Sequence, residues 1–199
     1  MCIRDSNINY LRVSLTDRCN LRCRYCMPEK GIDKKSHRDI LSLEDIYEII
    51  QTAVEMGFSK VRLTGGEPLV RKGVIELCRS ISGLSGVKDF AMTTNGLLLP
   101  EMARELKAAG LMRLNISLDT LDPDRYHQIT RIGSLDDALA GIAAAEEAGF
   151  TNIKLNTVLI GGFNDCEIPR LVELTKQKPY QVRLSLIHIS EPTRRSYIS

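Results

Sequence analysis

The hydrophobic positions of this chain fall into two patterns that alternate along its length. Short runs rich in Val, Ile and Leu are followed by longer stretches in which apolar residues recur every three or four positions. The short runs predict strands and the longer stretches predict amphipathic helices. The predicted strands are 10–15, 60–64, 87–93, 113–118, 152–159 and a sixth beginning at 180–183; the predicted helices are 42–56, 74–82, 100–110, 134–148 and 167–177.

The predicted helices carry recognisable boundary residues. Ser42 with Asp45 three positions later is typical of a capping box, and Gly57 and Gly149 are typical of helix ends. Strict alternation of strands and helices with short loops predicts parallel strands covered by helices. We therefore expect an α/β fold, in the form of an open or closed barrel.

Unusual residues cluster where the predicted strands end. The cysteine run follows the first strand, Gly65-Gly66-Glu67-Pro68 the second, Thr94-Asn95-Gly96 the third, and Ser117-Leu118-Asp119 closes the fourth. Because α/β barrels place their chemistry at the carboxyl ends of their strands, we expect these residues to share one rim.

Cys19, Cys23 and Cys26 form a CxxxCxxC pattern with no fourth cysteine nearby. Three thiolates on one loop can hold three irons of a cubane cluster and leave the fourth iron open. The alternative is a zinc-binding module, but structural zinc needs four ligands, and His37, His127 and His188 form no paired arm. Disulfide pairing fits less well, because six cysteines in 199 residues are sparse and these three are bunched.

The amino-acid composition limits the class of protein and the kinds of partner that this chain can have. At 43% hydrophobic, 199 residues can bury one sizeable core. The formal charge of +2 gives no general attraction to nucleic acid or membrane, and no apolar run approaches the length of a membrane span. We expect a cytoplasmic protein without nucleic-acid or membrane partners.

The two ends of the chain have an unusual relation. A codon string for residues 184–189, read on the opposite strand, encodes residues 1–5, and both ends resemble translated sequencing-adapter DNA. We expect 1–6 and 184–199 to be adapter-like, non-native segments flanking a native barrel segment at 7–183.

The CxxxCxxC run followed by the 65–68 turn resembles the radical S-adenosylmethionine superfamily. Together with 11–28, 61–71, 93–96, 114–119 and 154–158, these motifs resemble the GTP 3′,8-cyclases of molybdenum cofactor biosynthesis, the MoaA type. The resemblance implies a partial (β/α)6-type TIM-like barrel, incomplete at its C-terminus.

The resemblance also implies roles for particular residues. Cys19, Cys23 and Cys26 would hold a [4Fe-4S] cluster whose open iron binds S-adenosylmethionine. The implied S-adenosylmethionine contacts are Tyr25 on the adenine, Glu67 on the ammonium group, and Gly65, Gly66 and Ser117. The implied GTP contacts are Arg12, Arg62, Thr93 and Lys154.

The implied reaction is conversion of GTP to (8S)-3′,8-cyclo-7,8-dihydroguanosine 5′-triphosphate by a 5′-deoxyadenosyl radical. The resemblance further implies a lyase with a low-potential electron donor of the flavodoxin or ferredoxin type, and it allows a homodimer of the full-length protein. A second [4Fe-4S] cluster is expected in a C-terminal domain without counterpart here, so we expect this chain not to complete cyclisation. Another radical enzyme, such as a peptide-modifying one, is the alternative.

Overall fold

Parallel strands and helices alternate through residues 8–32 and 40–187, which are the residues that the computed structural model describes. The elements in chain order are β1 (Tyr10–Ser14), α1 (Leu43–Glu55), β2 (Lys60–Thr64), α2 (Val74–Ser82), β3 (Asp89–Thr94), α3 (Leu99–Ala108), β4 (Arg113–Ser117), α4 (Pro123–Thr130), α5 (Leu135–Glu147), β5 (Ile153–Ile160), α6 (Ile168–Gln177) and β6 (Gln181–Ile187).

The six strands form one sheet in which spatial order follows chain order from β1 to β6, and every neighbouring pair is parallel. A doubly wound sheet would reverse its strand order at a switch point, whereas this sheet does not. Right-handed crossovers that always advance in the same direction leave the helices on one face. The arrangement confirms the predicted α/β fold with a partial (β/α)6 barrel.

The two faces of the sheet differ in character. Alternate strand residues such as Val61, Leu63 and Leu114 join the helices in one buried core. β5 shows the alternation most clearly, because every second residue from Ile153 onward is buried and the others are half-buried. The opposite face, which we call the polar face, carries Arg12, Arg62, Thr93, Asn115, Lys154 and Arg183.

The first helix begins as the sequence predicts. The Ser42 hydroxyl accepts a hydrogen bond from the Asp45 amide at 3.0 Å, and the Asp45 carboxylate accepts one from the Ser42 amide at 3.0 Å. This capping box satisfies two backbone donors at the start of α1. Within the described ranges, no helix combines the length and the apolar character that crossing a bilayer requires.

Helix α4 is absent from the sequence-based prediction. Its cues were present, because Asp122 caps it by accepting from the Arg125 amide and Pro123 occupies its first turn. The helix is only eight residues long and buries Tyr126, Ile129 and Thr130, so its hydrophobic period is too brief to stand out.

Strand β6 continues beyond its predicted end at Arg183. Residues 184–187 pair in parallel register with Thr157–Ile160 of β5, because the alternation of Leu184, Ser185 and Leu186 suits a strand. The non-native origin of 184–199 stays a prediction. Residues 1–6 and 188–199 lie outside the described residues.

Candidate functional site

The cysteine loop, residues 17–27, follows β1 and folds into a tight turn. The amides of Cys26 and Met27 both donate to the Cys23 carbonyl at 2.9 Å. Cys19 and Cys23 are half-buried, whereas Cys26 is exposed. The Cys19 sulfur accepts from the Leu21 amide at 3.3 Å and lies 3.8 Å from Asn95 Nδ2, so protein donors already face it.

Two of the three thiols resist ionisation in this setting. Burial raises the pKa of the Cys19 thiol and raises the pKa of Cys23 to about 12, with the Asp119 carboxylate as the next cause at Cys23. A thiolate at these positions therefore needs a nearby cation. Among the described residues, no three His, Cys, Asp or Glu side chains are grouped to hold a single metal ion. Thiolates that bind separate irons of one cluster need not converge on a common point.

The 65–68 turn packs directly against the cysteine loop. The Gly66 amide donates to the Thr16 carbonyl at 2.6 Å, and the Glu67 amide donates to the Arg18 carbonyl at 2.7 Å. A Cβ atom on Gly66 would lie 2.3 Å from the Arg18 oxygen. The sequence suggests that these glycines let the backbone approach a ligand; the structure shows that they also let two loops approach each other.

Glu67 is 1% exposed and links three chain segments. Its Oε1 accepts from the Leu69 amide at 3.0 Å and the Thr94 hydroxyl at 2.8 Å, and its Oε2 accepts from the Asn95 amide at 2.7 Å. Burial raises the pKa of this carboxyl, and the three hydrogen bonds oppose the rise. The carboxylate therefore has a structural role beside the predicted contact with an ammonium group, which stays a prediction.

Tyr25 is anchored to the end of the fourth strand. Its hydroxyl donates to Asp119 Oδ2 at 2.7 Å, and Asp119 Oδ1 accepts from the Val158 amide at 2.8 Å. Burial raises the pKa of both the phenol and the carboxyl. Tyr25 as a whole remains 36% exposed, and half-buried Ser117 precedes Asp119 by two residues.

The polar side chains predicted to contact GTP all lie on the polar face. Arg12 and Arg62 are register partners in β1 and β2, while Thr93 and Lys154 share a row through Asn115. Arg12 is exposed on the edge strand, and the other three are half-buried. The Arg62 guanidinium lies 5.3 Å from the centre of the Tyr10 ring.

Two further cations on this face, Arg113 and Arg183, are not among the residues predicted from the sequence to contact GTP. Burial lowers the pKa of Arg62 and of Lys154, and both added charges lower it further. Arg113 forms a two-bond ion pair with Asp89. Arg183 shares a register row with Ser117, which connects the cations to the rim. The sequence signal that could have identified both arginines is the alternation of side chains along a strand, which places them on the polar face.

Two buried atoms on the polar face lack a hydrogen-bond partner among the described residues. These atoms are Arg62 Nε and Asn115 Oδ1. The Asn115 side-chain nitrogen lies 3.5 Å from the Thr93 hydroxyl, whereas the side-chain oxygen of Asn115 has no hydrogen-bond partner among the described residues. A buried donor or acceptor without a partner is costly, so this face is suited to a polar ligand that carries negative charge.

Known proteins resemble this chain in sequence. A profile of the Radical SAM superfamily matches residues 13–175. The chain is 59% identical over 176 residues to a GTP 3′,8-cyclase of Peptoclostridium acidaminophilum and 53% identical over 188 residues to one of Alkaliphilus oremlandii. These alignments cover 88% and 94% of this chain but 54% and 59% of the relatives. The chain thus spans little more than half the length of the curated relatives it matches.

Solved structures agree on the fold at low sequence identity. Streptococcus suis SuiB bound to S-adenosylmethionine superposes with a TM-score of 0.74 at 22% identity, covering 94% of this chain and 42% of SuiB. Methylornithine synthase (PylB) superposes with a TM-score of 0.69 at 19% identity, covering 90% of this chain and 53% of that one. With a superfamily profile matching most of its length, the chain belongs to the radical SAM superfamily.

Proposed function

We propose that Cys19, Cys23 and Cys26 hold a [4Fe-4S] cluster and that the rim beside them binds S-adenosylmethionine. Radical SAM family members bind both groups. Three features of the cysteine loop support the assignment to these residues: three thiols on one turn, raised thiol pKa values that call for a cation, and an N–H donor aimed at Cys19 sulfur. When bound, the cluster supplies the electron that cleaves S-adenosylmethionine.

The rim residues have distinct tasks in this proposal. Tyr25, held by Asp119, offers its ring to the adenine, and Ser117 offers a hydroxyl. Gly65 and Gly66 present backbone polar groups to the methionine part of the ligand. Glu67 fixes the turn that presents them and adds negative charge near the ammonium group.

We further propose that the protein is a GTP 3′,8-cyclase that uses Arg12, Arg62, Thr93 and Lys154 to bind GTP. The observation that carries this proposal is the composition of the polar face. Several cations lie near one another there, and two buried polar atoms have no hydrogen-bond partner among the described residues. A triphosphate supplies the missing negative charge and acceptors for Arg62 Nε. The name shared by relatives at more than 50% identity supports the same conclusion.

In this proposal the protein orients GTP with its ribose toward the rim, because Arg62 and Lys154 lie in register rows further from the carboxyl ends of the strands than Ser117 does. A low-potential electron donor, a second cluster in the remaining part of the protein and a cytoplasmic location complete the proposal. A peptide-modifying activity would not explain why several cations lie near one another on the polar face. A zinc module fits poorly with superfamily membership.

The test is anaerobic reconstitution of the chain with iron and sulfide, followed by two assays. We expect about four irons per chain, release of 5′-deoxyadenosine from S-adenosylmethionine after reduction, and binding of GTP that Arg62→Ala weakens. Arg79→Ala, on an exposed position of α2, is the matched control. A chain that binds only zinc would contradict the cluster, and GTP binding that ignores Arg62 would contradict the substrate site.

A further inference from the structure

A second set of contacts, separate from those with the 65–68 turn, holds the cysteine loop. It comes from the C-terminal end of α4, residues 129–131, which no motif in the sequence connects with the cysteines. The Ile129 carbonyl accepts from the Arg24 amide at 2.9 Å, and the Thr130 carbonyl accepts from the Arg22 amide at 3.1 Å. The two amides belong to the residues on either side of Cys23.

The side chain of Arg131 adds two more hydrogen bonds to the same loop. Its Nη1 donates to the Arg22 carbonyl at 2.5 Å and to the Met27 carbonyl at 3.0 Å. These carbonyls lie before Cys23 and after Cys26. One guanidinium nitrogen therefore joins the two ends of the segment that contains both cysteines.

The backbone of Arg131 has an unusual conformation. Its φ of 67° and ψ of −37° are backbone angles that residues other than glycine rarely adopt. No other non-glycine residue in the described ranges has a positive φ. Glycine would adopt a positive φ more readily. Such a conformation persists only where surrounding contacts hold it, and here they are the bond from the Arg131 amide to the His127 carbonyl and the side-chain bonds to the cysteine loop.

We propose that Arg131 is a positioning residue for the cluster loop: it holds the Cys23–Cys26 segment in the conformation that receives iron. This inference rests on the proposed cluster site. Arg131 needs no contact with the cluster, because it acts through the carbonyls of Arg22 and Met27. Charge-assisted hydrogen bonds to two carbonyls in one planar geometry are a task that lysine performs poorly.

The test compares Arg131→Gly and Arg131→Lys with the parent chain. Glycine removes the guanidinium and adopts a positive φ without strain. We therefore expect Arg131→Gly to fold. We expect Arg131→Gly to lose its cluster absorbance to a chelator about tenfold faster than the parent, as loss of charge-assisted hydrogen bonds implies. We expect Arg131→Lys to lose it at an intermediate rate, and added guanidinium ion at non-denaturing concentration to slow the loss from Arg131→Gly.

The control is Arg125→Ala, which removes an arginine from the same helix. Arg125 contacts Glu167 and Cys166, away from the loop, so its loss should leave chelator resistance unchanged. Hydrogen exchange in the apoprotein gives a readout without iron, and we expect faster exchange at the Arg22 and Arg24 amides of Arg131→Gly only.

The outcomes separate the two proposals. Equal chelator resistance and equal exchange in Arg131→Gly and the parent would overturn the role of Arg131 alone. A parent chain that takes up no iron–sulfur cluster would overturn the cluster site and this inference together. An unfolded Arg131→Gly apoprotein would show that Arg131 supports the whole fold, and would also overturn the inference.

Discussion

The rim loops and the polar face of the sheet handle their polar groups in opposite ways. On the rim, buried carboxylates find their partners within the protein: Glu67 accepts three hydrogen bonds and Asp119 accepts two. On the polar face, Arg62 Nε and Asn115 Oδ1 have no partner in the described chain, and burial, followed by the neighbouring cations, lowers the pKa of Arg62 and of Lys154. The rim is thus organised without a ligand, whereas the polar face has polar atoms that the proposed ligand would pair.

This difference suits the two proposed ligands. A cluster needs its three thiolates held at fixed positions, and a radical reaction needs its reacting groups held in close orientation. A triphosphate instead brings its own charge and acceptors, so the protein can leave cations unmatched until binding. Substitutions on the rim should therefore cost stability, and substitutions on the polar face should cost affinity.

The largest loss of stability is expected from Glu67→Ala. It leaves the Leu69 amide, the Thr94 hydroxyl and the Asn95 amide without their acceptor in a buried site. We expect the free energy of unfolding to fall by about 3 kcal/mol. Urea denaturation of the apoprotein measures this. Glu48→Ala, at an exposed position of α1, should change it by less than about 0.5 kcal/mol. Equal effects of the two substitutions would show that the rim is not held together by Glu67.

A smaller loss is expected from Gly66→Ala. The new methyl group would lie 2.3 Å from the Arg18 oxygen and 2.7 Å from the Asp17 oxygen, so the turn and the cysteine loop must separate. We expect a destabilisation of about 2 kcal/mol and a lower iron content after reconstitution. Gly161→Ala is the matched control, because a Cβ there would meet nothing within 4 Å. Full iron content in Gly66→Ala would show that the two loops need not touch.

A still smaller effect, dependent on pH, is expected from Asp119→Asn. An amide can replace only one of the two acceptor oxygens that serve Tyr25 and Val158, so about 1 kcal/mol should be lost near neutral pH. Burial raises the pKa of Asp119 above its ordinary 3.8 in the folded protein. The parent therefore loses stability as pH rises from 3.8 through the raised pKa, and the variant lacks this component.

The stability advantage of the parent over Asp119→Asn should consequently shrink as pH rises through that window and then stay constant. Urea titrations of both proteins across the acidic and neutral range measure the difference, in which other titrating groups cancel. An advantage that grows with pH would mean that the hydrogen bonds outweigh burial at this carboxylate.

The sequence predicted the sheet well because the apolar runs are long enough to reveal their period. The capping residues Ser42 and Asp45 marked a helix start, and the family resemblance grouped Arg62 with Lys154, which the register of the strands places on one face of the sheet. The structure was needed for contacts between loops distant in sequence. Nothing local predicts that Arg131 would adopt a positive φ and reach the cysteine loop, since that conformation depends on the partner it finds.

The rim roles were only partly predictable for the same reason. Glu67 was identified from its motif as a ligand contact, but its bonds to Thr94 and Asn95 join turns 27 and 28 residues apart in the chain. Asp119 was noted as a rim residue without a function, because its partner Tyr25 lies 94 residues away. Residue types suggest chemistry, whereas the pairing of loops requires the folded chain.

The smallest change in stability is expected from Arg62→Met, and this substitution tests the other half of the comparison. Met replaces the guanidinium beside the Tyr10 ring by an apolar thioether that can pack on the ring, and it removes a half-buried cation that lacks a partner at Nε. We expect the free energy of unfolding of the apoprotein to change by less than about 1 kcal/mol, with stabilisation the favoured sign. We also expect the affinity for GTP to fall at least about tenfold, because a guanidinium–phosphate contact is lost. Denaturation and calorimetric titration measure the two quantities on the same samples, with Arg79→Met as the exposed control. If Arg62→Met destabilised the apoprotein as much as Glu67→Ala does, the polar face would be organised in the same way as the rim, and the unmatched cations would have a structural role.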